Sequence, residues 1–308
     1  MDDTVLITIL ATAVRAGTPI LLAGLGLLIY EKSGVLNLGP EGQMLLGAFV
    51  GVWLQVKTGF LPLAIAGAAL SGIAAGFLHA FLCVKLRLNQ IVTGLCFFLF
   101  LQGLTALWGR NLVGEPISPN LGLPLKFLSG LPYLGPVMAT FDSFILFSIF
   151  SAVALAWFLS CTRLGIQVRA TGDNAEAAHA AGVNVQAVRI VCGCVAGMFC
   201  SLGGAYLSLA YASQWQENMV AGRGWIALVL VIFSLWKPPL LLCGAWAFGC
   251  LTALHLVLQT TGIHISQYFL GMLPFLGTIV ALTLASLLLR KRPSFMPSDL
   301  GKAFVPTR

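Results

Sequence analysis

Apolar residues run along this chain in blocks of about twenty, separated by short polar interruptions. A helix rises roughly 1.5 Å per residue, so about 20 apolar residues cross the ~30 Å hydrocarbon layer of a bilayer. On that ruler the sequence predicts nine segments, at about 5–30, 34–54, 60–84, 88–108, 141–160, 190–211, 224–236, 238–259 and 268–289. The seventh is too short to cross alone. The polar stretch 213–222 before it is expected to complete it as a re-entrant piece, which membrane depth tolerates where protein buries it. Lys237-Pro238-Pro239 separates the seventh from the eighth, because proline cannot continue a helix. Between the fourth and fifth, residues 109–140 are rich in Gly and Pro and contain Leu131-Pro132-Tyr133, and are expected to form an outer loop along the membrane surface. The expected fold is all-α. It is a polytopic membrane protein, a single domain over 1–308 with about nine transmembrane helices, some of them broken or re-entrant, and a cytoplasmic helix.

Composition sharpens the class. Of 308 residues, 58% are hydrophobic and 9% charged, with mean hydropathy +0.95. Soluble domains carry about 25% charged residues, so a soluble fold is excluded. The net charge of +7 lies between apolar spans, which points to the positive-inside rule and not to nucleic acid. With nine crossings and a cytoplasmic C-terminus, the N-terminus lies outside. Twelve Lys and Arg then fall on the inner side, against Arg15, Lys57, Arg110, Lys126 and Arg223 outside. The start Met1-Asp2-Asp3 is acidic where a signal peptide is basic. The cysteines sit in or beside apolar spans without zinc-ligand spacing and are read as small apolar packing groups.

One polar island stands out, Arg163 to Gly182 and on through Asn184 to Arg189. Asp173 followed three residues later by Glu176 fits a capping-box-like start, with negative charge at the positive end of the helix dipole. Ala175 to Ala181 are strong helix formers apart from His179, and Gly182 supplies the stop. The island therefore predicts a two-turn helix over 173–181 flanked by arginines, presented to water where a soluble partner can grip it. The plainer reading is a solvated loop between spans.

A second constellation is Glu31-Lys-Ser-Gly-Val-Leu-Asn-Leu-Gly-Pro-Glu-Gly-Gln43. Such a break frees backbone amides and carbonyls, so it must be buried in protein or line a hydrated path. Glu41 either contributes to that path or caps the following helix at an inner-face turn. The absences also count. The ten acidic residues all lie outside the middle of uninterrupted apolar spans, whereas a proton-coupled transporter usually needs a carboxylate there. The sequence has no Gly-x-x-x-x-Gly-Lys-Ser/Thr loop, no His-Glu-x-x-His and no Gly-x-Ser-x-Gly. His79 and His255 on apolar segments are read as packed core histidines. Gly72-x-x-x-Gly76, and Gly193-x-x-x-Gly197 continuing to Gly203-Gly204, allow close helix approach, read first as packing within the chain.

Several of these stretches together resemble a known family. They are Glu31-x-Ser-Gly-Val-x-Asn-Leu-Gly-x-Glu-Gly-Gln-Met-Leu-Leu-Gly47, Leu88-Asn-Gln-Ile-Val-Thr-Gly94, Ala170-Thr-Gly-Asp-Asn-x-x-Ala-Ala-x-x-Ala-Gly-Val183, Gly222-Arg-Gly-Trp-Ile-Ala-Leu228 and Leu300-Gly-Lys-x-Phe-Val-Pro306. They resemble the permease subunits of bacterial ATP-binding cassette (ABC) importers for nucleosides and simple sugars, within the branched-chain amino acid/ribose permease group. Pro40 and Ser234-Leu-Trp-Lys237 depart mildly from the pattern. The resemblance implies a non-enzymatic subunit of the bacterial inner membrane. It implies a coupling helix that uses Gly172, Asp173, Asn174, Glu176, Ala177, Ala178 and Gly182, and a translocation path near Asn37, Gly39, Glu41, Gly42, Asn89, Gln90 and Arg223. It further implies a cytoplasmic ABC ATPase holding the ATP and Mg, with no cofactor in this chain, a second homologous permease and an extracytoplasmic substrate-binding protein. A stand-alone secondary transporter or channel is the alternative.

Overall fold

The computed structural model describes residues 3–117, 141–260 and 296–304, with isolated positions between 272 and 283. The ninth expected segment and most of the expected outer loop lie outside the described residues. The helices are α1 (Asp3–Lys32), α2 (Pro40–Thr58), α3 (Leu61–Ala80), α4 (Gln90–Gly109), α5 (Ser143–Cys161), α6 (Arg163–Asp173), α7 (Ala175–Ala180), α8 (Val185–Tyr206), α9 (Arg223–Phe233) and α10 (Pro238–Thr260). A π-helical turn extends α3 through Phe81–Lys85, and another extends α8 through Leu207–Tyr211. Extended pairing among the described residues is confined to one isolated bridge between Val113 and Trp215. The fold is all-α, as expected of a polytopic membrane protein.

Among the described residues, five helices are long and apolar enough to span a membrane: α1 from Ile9, α3 and α8 with their π turns, α4 and α5. The eleven residues of α9 reach about 16 Å, roughly half of the hydrocarbon layer. Residues 212–222 before it form turns, with left-handed backbone at Ser213, Asn218 and Ala221 and a fully buried Trp215. The seventh segment is thus short and preceded by a non-helical approach, as the sequence predicts. Leu235 and Trp236 turn left-handed before Pro238 opens α10.

Two expected boundaries move. The second segment begins as helix at Pro40 instead of 34, because Gly34 takes φ +91° and the Asn37 side chain accepts the Gly39 amide in a tight turn. The sixth starts at Val185 instead of 190, because the Asn184 side chain accepts the Ala187 amide and caps it.

The packing follows from small residues. α1 runs through the centre, with 89% of its apolar window buried, against 28% for α3 and for α4. Around it stand α8, α10 and α9, and α8 in turn packs on α2 and α3. Where α3 crosses α8, a side-chain carbon on Gly72 or Gly76 would run into the carbonyls of Gly197 and Gly193. The two glycine pairs therefore work as packing within the chain, letting backbones touch where van der Waals contact must replace a hydrophobic driving force. His79 is a packed core histidine, fully buried with its ring nitrogens 3.3 Å from the Tyr30 hydroxyl and 3.7 Å from Cys83 Sγ. Overpacking a tight interface costs about 1–3 kcal/mol. Gly76→Leu is accordingly expected to lower the thermal midpoint of the purified chain in detergent, whereas Gly103→Ala, with open space around it, leaves that midpoint unchanged or raises it.

Candidate functional site

The polar island folds as two helices, where the sequence reading expected one. Thr162 caps α6 by accepting the Gly165 amide, and α6 ends at Asp173. Asn174 then caps α7, its Oδ1 accepting the Ala177 amide at 2.9 Å. The helix start is therefore Asn174, and Asp173 instead closes the preceding helix. A bare Asp-x-x-Glu spacing does not separate these cases, because Asn174 is an equally good cap one residue on. The stop at Gly182 stands, with φ +86°. Ala178 accepts the Val183 amide and His179 the Gly182 amide, which closes the last turn.

Burial divides the island into a presented face and a seated one. Asp173, Asn174, Glu176, Ala177, His179 and Gly182 are exposed, while Gly172, Ala175 and Ala178 are buried. Ala175 and Ala178 pack with Val185 and with Phe304 from the C-terminal segment, whose ring meets His179 edge-on at 5.5 Å. Asp299 ties this segment down. Its Oδ2 accepts the Ala175 amide at 2.8 Å, its own amide donates to the Gly172 carbonyl at 2.9 Å, and Oδ1 meets Lys302 Nζ at 3.1 Å. Partial burial alone would raise the Asp299 pKa, but the Ala175 amide, Lys302 and Arg189 outweigh it and hold the carboxyl below its ordinary value. Sequence reading used residues 300–306 for resemblance alone and missed this role, since nothing local in Asp299 signals a partner 124 positions away.

Behind the presented helix lies a junction of four chain segments. Arg189 of α8 is buried, donating from Nε to the Ser33 carbonyl at 3.0 Å and from Nη1 to the Lys302 carbonyl at 3.1 Å. The Gly301 amide donates to the Gly34 carbonyl. Gly172 lies so close to the end of α1 that a side-chain carbon would overlap the Lys32 carbonyl. The base of α7 is thus joined to the end of α1, the start of α8 and the segment 33–39.

That segment leads into the second expected site. Asn37 is fully buried, its Oδ1 accepting the Gly39 amide and its Nδ2 donating to Gln43 Oε1. Gln90 Oε1 accepts the Leu36 amide at 2.7 Å, and Asn89, which is exposed, caps α4 by accepting the Ile91 and Val92 amides. Gly42 brings the start of α2 onto the backbone of Phe98. Glu41 caps neither its own helix nor a gap. Its carboxyl oxygens accept the Gly222 amide at 2.6 Å and the Gly224 amide at 2.7 Å, so it sits at the N-terminus of α9. There the free amides and the helix dipole both favour negative charge. Arg223 is half-buried, donating to the Met219 and Val220 carbonyls beside the Tyr211 ring. Most of the path residues named from resemblance therefore bond to one another or to backbone.

A polar pair that the sequence reading passed over lies nearby and more open. Gln102 on α4 donates to Asn218 Oδ1 at 3.3 Å across an exposed contact. One turn below, Phe98 meets Trp225 edge-on at 5.8 Å. The signal available was a glutamine inside an apolar helix, four positions from an aromatic.

Residues 9–286 match the family described as the permease component of branched-chain amino acid transport systems. The chain is 38% identical over 259 residues to a candidate glucose ABC transporter permease, TsgC13, of Haloferax volcanii, covering 83% of this chain and 79% of that one. It is 32% identical to the nucleoside ABC transporter permease NupC of Lactococcus lactis, over 90% of this chain and 91% of that one. Against the guanosine ABC transporter permease NupQ of Bacillus subtilis it is 30% identical, over 89% and 90%. No solved structure matches. A bundle of apolar helices with a capped helix presented at one end fits these relatives, and the chain belongs to the branched-chain amino acid transport system permease family as a transmembrane permease subunit of an ABC importer.

Proposed function

We propose that this chain carries a nucleoside, purine or simple sugar across the bacterial inner membrane, driven by ATP hydrolysis in separate partner chains. The observation that carries the reading is α7, a capped two-turn helix whose outer face is open and whose inner face is locked to the bundle. The relatives' nucleosides and glucose supply the substrate class. In this reading residues 1–308 act as one permease domain, and the end of the bundle bearing α6 and α7 faces the cytoplasm. The C-terminus is then inside and the N-terminus outside. The ATP and Mg belong to the ATPase, a second homologous permease completes the path, and an extracytoplasmic binding protein delivers the solute.

Force then has a physical route. Glu176, Ala177 and the Gly182 turn seat in the ATPase, Asp299 and Arg189 transmit their displacement to Ser33 and Gly34, and residues 35–39 pass it to α2. Glu41 holds α2 and α9 together, so the two broken elements move as one unit. The solute passes along the open face that carries Gln102 and Asn218. Gln102 lies twelve residues into α4, about 18 Å along it and near mid-membrane. An amide pair there would be costly against lipid, so this face is wet.

Reconstituted with the ATPase and permease encoded beside it, the chain is expected to support ATP-driven uptake of labelled guanosine or glucose into proteoliposomes. Uptake by the chain alone without ATP would overturn the reading. Glu176→Arg and Gly182→Trp are expected to cut substrate-stimulated hydrolysis by tenfold or more, about 1.4 kcal/mol, and unchanged coupling in both would remove the docking role from α7. Asp299→Ala deletes one cap acceptor, worth roughly 1 kcal/mol, and is expected to weaken coupling more than Asp299→Asn, which keeps an oxygen for the Ala175 amide. Because the folded pKa of Asp299 is lowered, its contribution is complete above the unfolded value of 3.8 and vanishes only as pH falls through the folded one. Coupling should therefore be insensitive to Asp299 titration near neutral pH. Glu41→Gln leaves one of the two α9 amides without an acceptor, and is expected to slow uptake while leaving assembly with the ATPase intact.

A further inference from the structure

At the end of the bundle that carries α6 lies a cavity of about 420 Å³ walled by α1, α5, α6 and the α9–α10 corner. Lys32, Arg169 and Lys237 line it together with Ser160, and the Trp236 ring lies 5.9 Å from Lys32 Nζ. Arg169 and Lys237 both act electrostatically on Lys32, and the opposing carboxylate acting there is Asp173. Glu31 is buried behind the ring, where its Oε2 accepts the Trp236 indole N–H at 2.6 Å. Three cations thus converge on one opening. The other walls are apolar: Ala156 and Leu159 from the last turns of α5, and Leu235, Pro238, Pro239 and Leu240 from the corner. Below the opening, α5 exposes Val153 at 65% and Trp157 at 63%, and α10 exposes Leu240 at 46%.

We infer that this cavity is a binding site for the phosphate headgroup of an anionic phospholipid of the leaflet next to α6, with its acyl chains lying along α5 and α10. The inference uses the proposed placement of α6 at the membrane surface, and none of the proposed solute chemistry. The phosphate chemistry comes from the three cations. The lipid source comes from position, because the cavity opens where an apolar span ends, with an interfacial tryptophan and exposed aliphatic surface directly beneath. A soluble anion would have no use for that apolar floor. Seated there, the phosphate would tie Arg169, one turn before the end of α6, to α1 and to the corner that starts α10.

Native mass spectrometry of the full chain released from nanodiscs tests this. Nanodiscs of phosphatidylglycerol mixed with phosphatidylcholine are expected to yield one retained phosphatidylglycerol per chain, in preference to phosphatidylcholine. Each neutralised cation is expected to weaken retention about fivefold, the effect of roughly 1 kcal/mol per basic residue. Arg169 and Lys237 are both exposed, so the double variant Arg169→Gln/Lys237→Gln should fold as the parent does, while Lys32→Gln gives the complete set. Equal retention of the two lipids, or undiminished phosphatidylglycerol on the double variant, overturns the site. Inorganic phosphate that displaces the lipid at millimolar concentration, with Leu240→Asp leaving retention unchanged, would assign the cavity to a free anion and overturn the lipid reading. Guanosine and glucose uptake is a separate readout, so a failure of the transport reading leaves this result standing and the reverse also holds.

Discussion

Backbone groups inside a bilayer must find their hydrogen-bond partners within the protein, and the arrangement of this chain turns on how that constraint is met at its breaks. Glu41 is the clearest instance. A carboxyl group at membrane depth is expensive, and so is a helix that starts there with unpaired amides. Bringing the two together removes both costs, through bonds of 2.6 and 2.7 Å to Gly222 and Gly224. Charge-assisted bonds of this kind are roughly twice as strong as neutral ones. Segments 181 positions apart in the chain are joined by this contact.

The same logic governs the end of the bundle. Arg189 carries a permanent charge into a buried position and directs two of its donors at the Ser33 and Lys302 carbonyls. Carbonyls at a left-handed turn and in an irregular terminal segment have no helical donors of their own, so they are free to accept. The guanidinium thereby joins places where regular structure stops. This makes the junction stiff where helices would otherwise fray, and α7 sits on it. Lys could not substitute fully, because a point charge on a flexible stem does not hold two carbonyls in a fixed fork.

Much of this was legible in the sequence, and the residues show why the rest was not. Helix content, the short seventh segment, the break at Lys237-Pro238 and the glycine crossings follow from apolar length, proline and small-residue spacing, all local properties. The presented helix was legible too, displaced by one residue at its cap because Asp173 and Asn174 compete for the same role. The path residues were harder. Asn37, Glu41 and Gln90 look functional because they are polar in an apolar setting, yet that pattern does not distinguish a residue that faces water from one that satisfies buried backbone. Their partners, Gly39, Gly222, Gly224 and Leu36, are backbone groups that carry no sequence signature. Asp299 and Gln102 were missed for the complementary reason, since each gains meaning only from a segment more than 110 positions away.

On the proposed reading, the distribution of burial separates the moving frame from the route. α1, nearly all buried, forms with α8 and α2 a core whose glycines let backbones touch, so it can transmit displacement without absorbing it. α4 is the opposite, exposing Leu95, Leu99, Leu107 and Trp108 along with the amide of Gln102. Were that face turned wholly to lipid, the Gln102–Asn218 pair would gain nothing over a pair of leucines and would lose its hydration. Were it buried within the chain, it would be shielded as Asn37 and Gln43 are, whose amide contact of 3.2 Å lies wholly inside the bundle. A weak, open amide pair beside an aromatic pair is what remains when a surface must stay wet and hold a polar solute briefly. On the proposed reading this explains why the carboxylate and guanidinium contacts lie behind the route and an exposed amide pair upon it: the frame has to be rigid, and the solute has to leave.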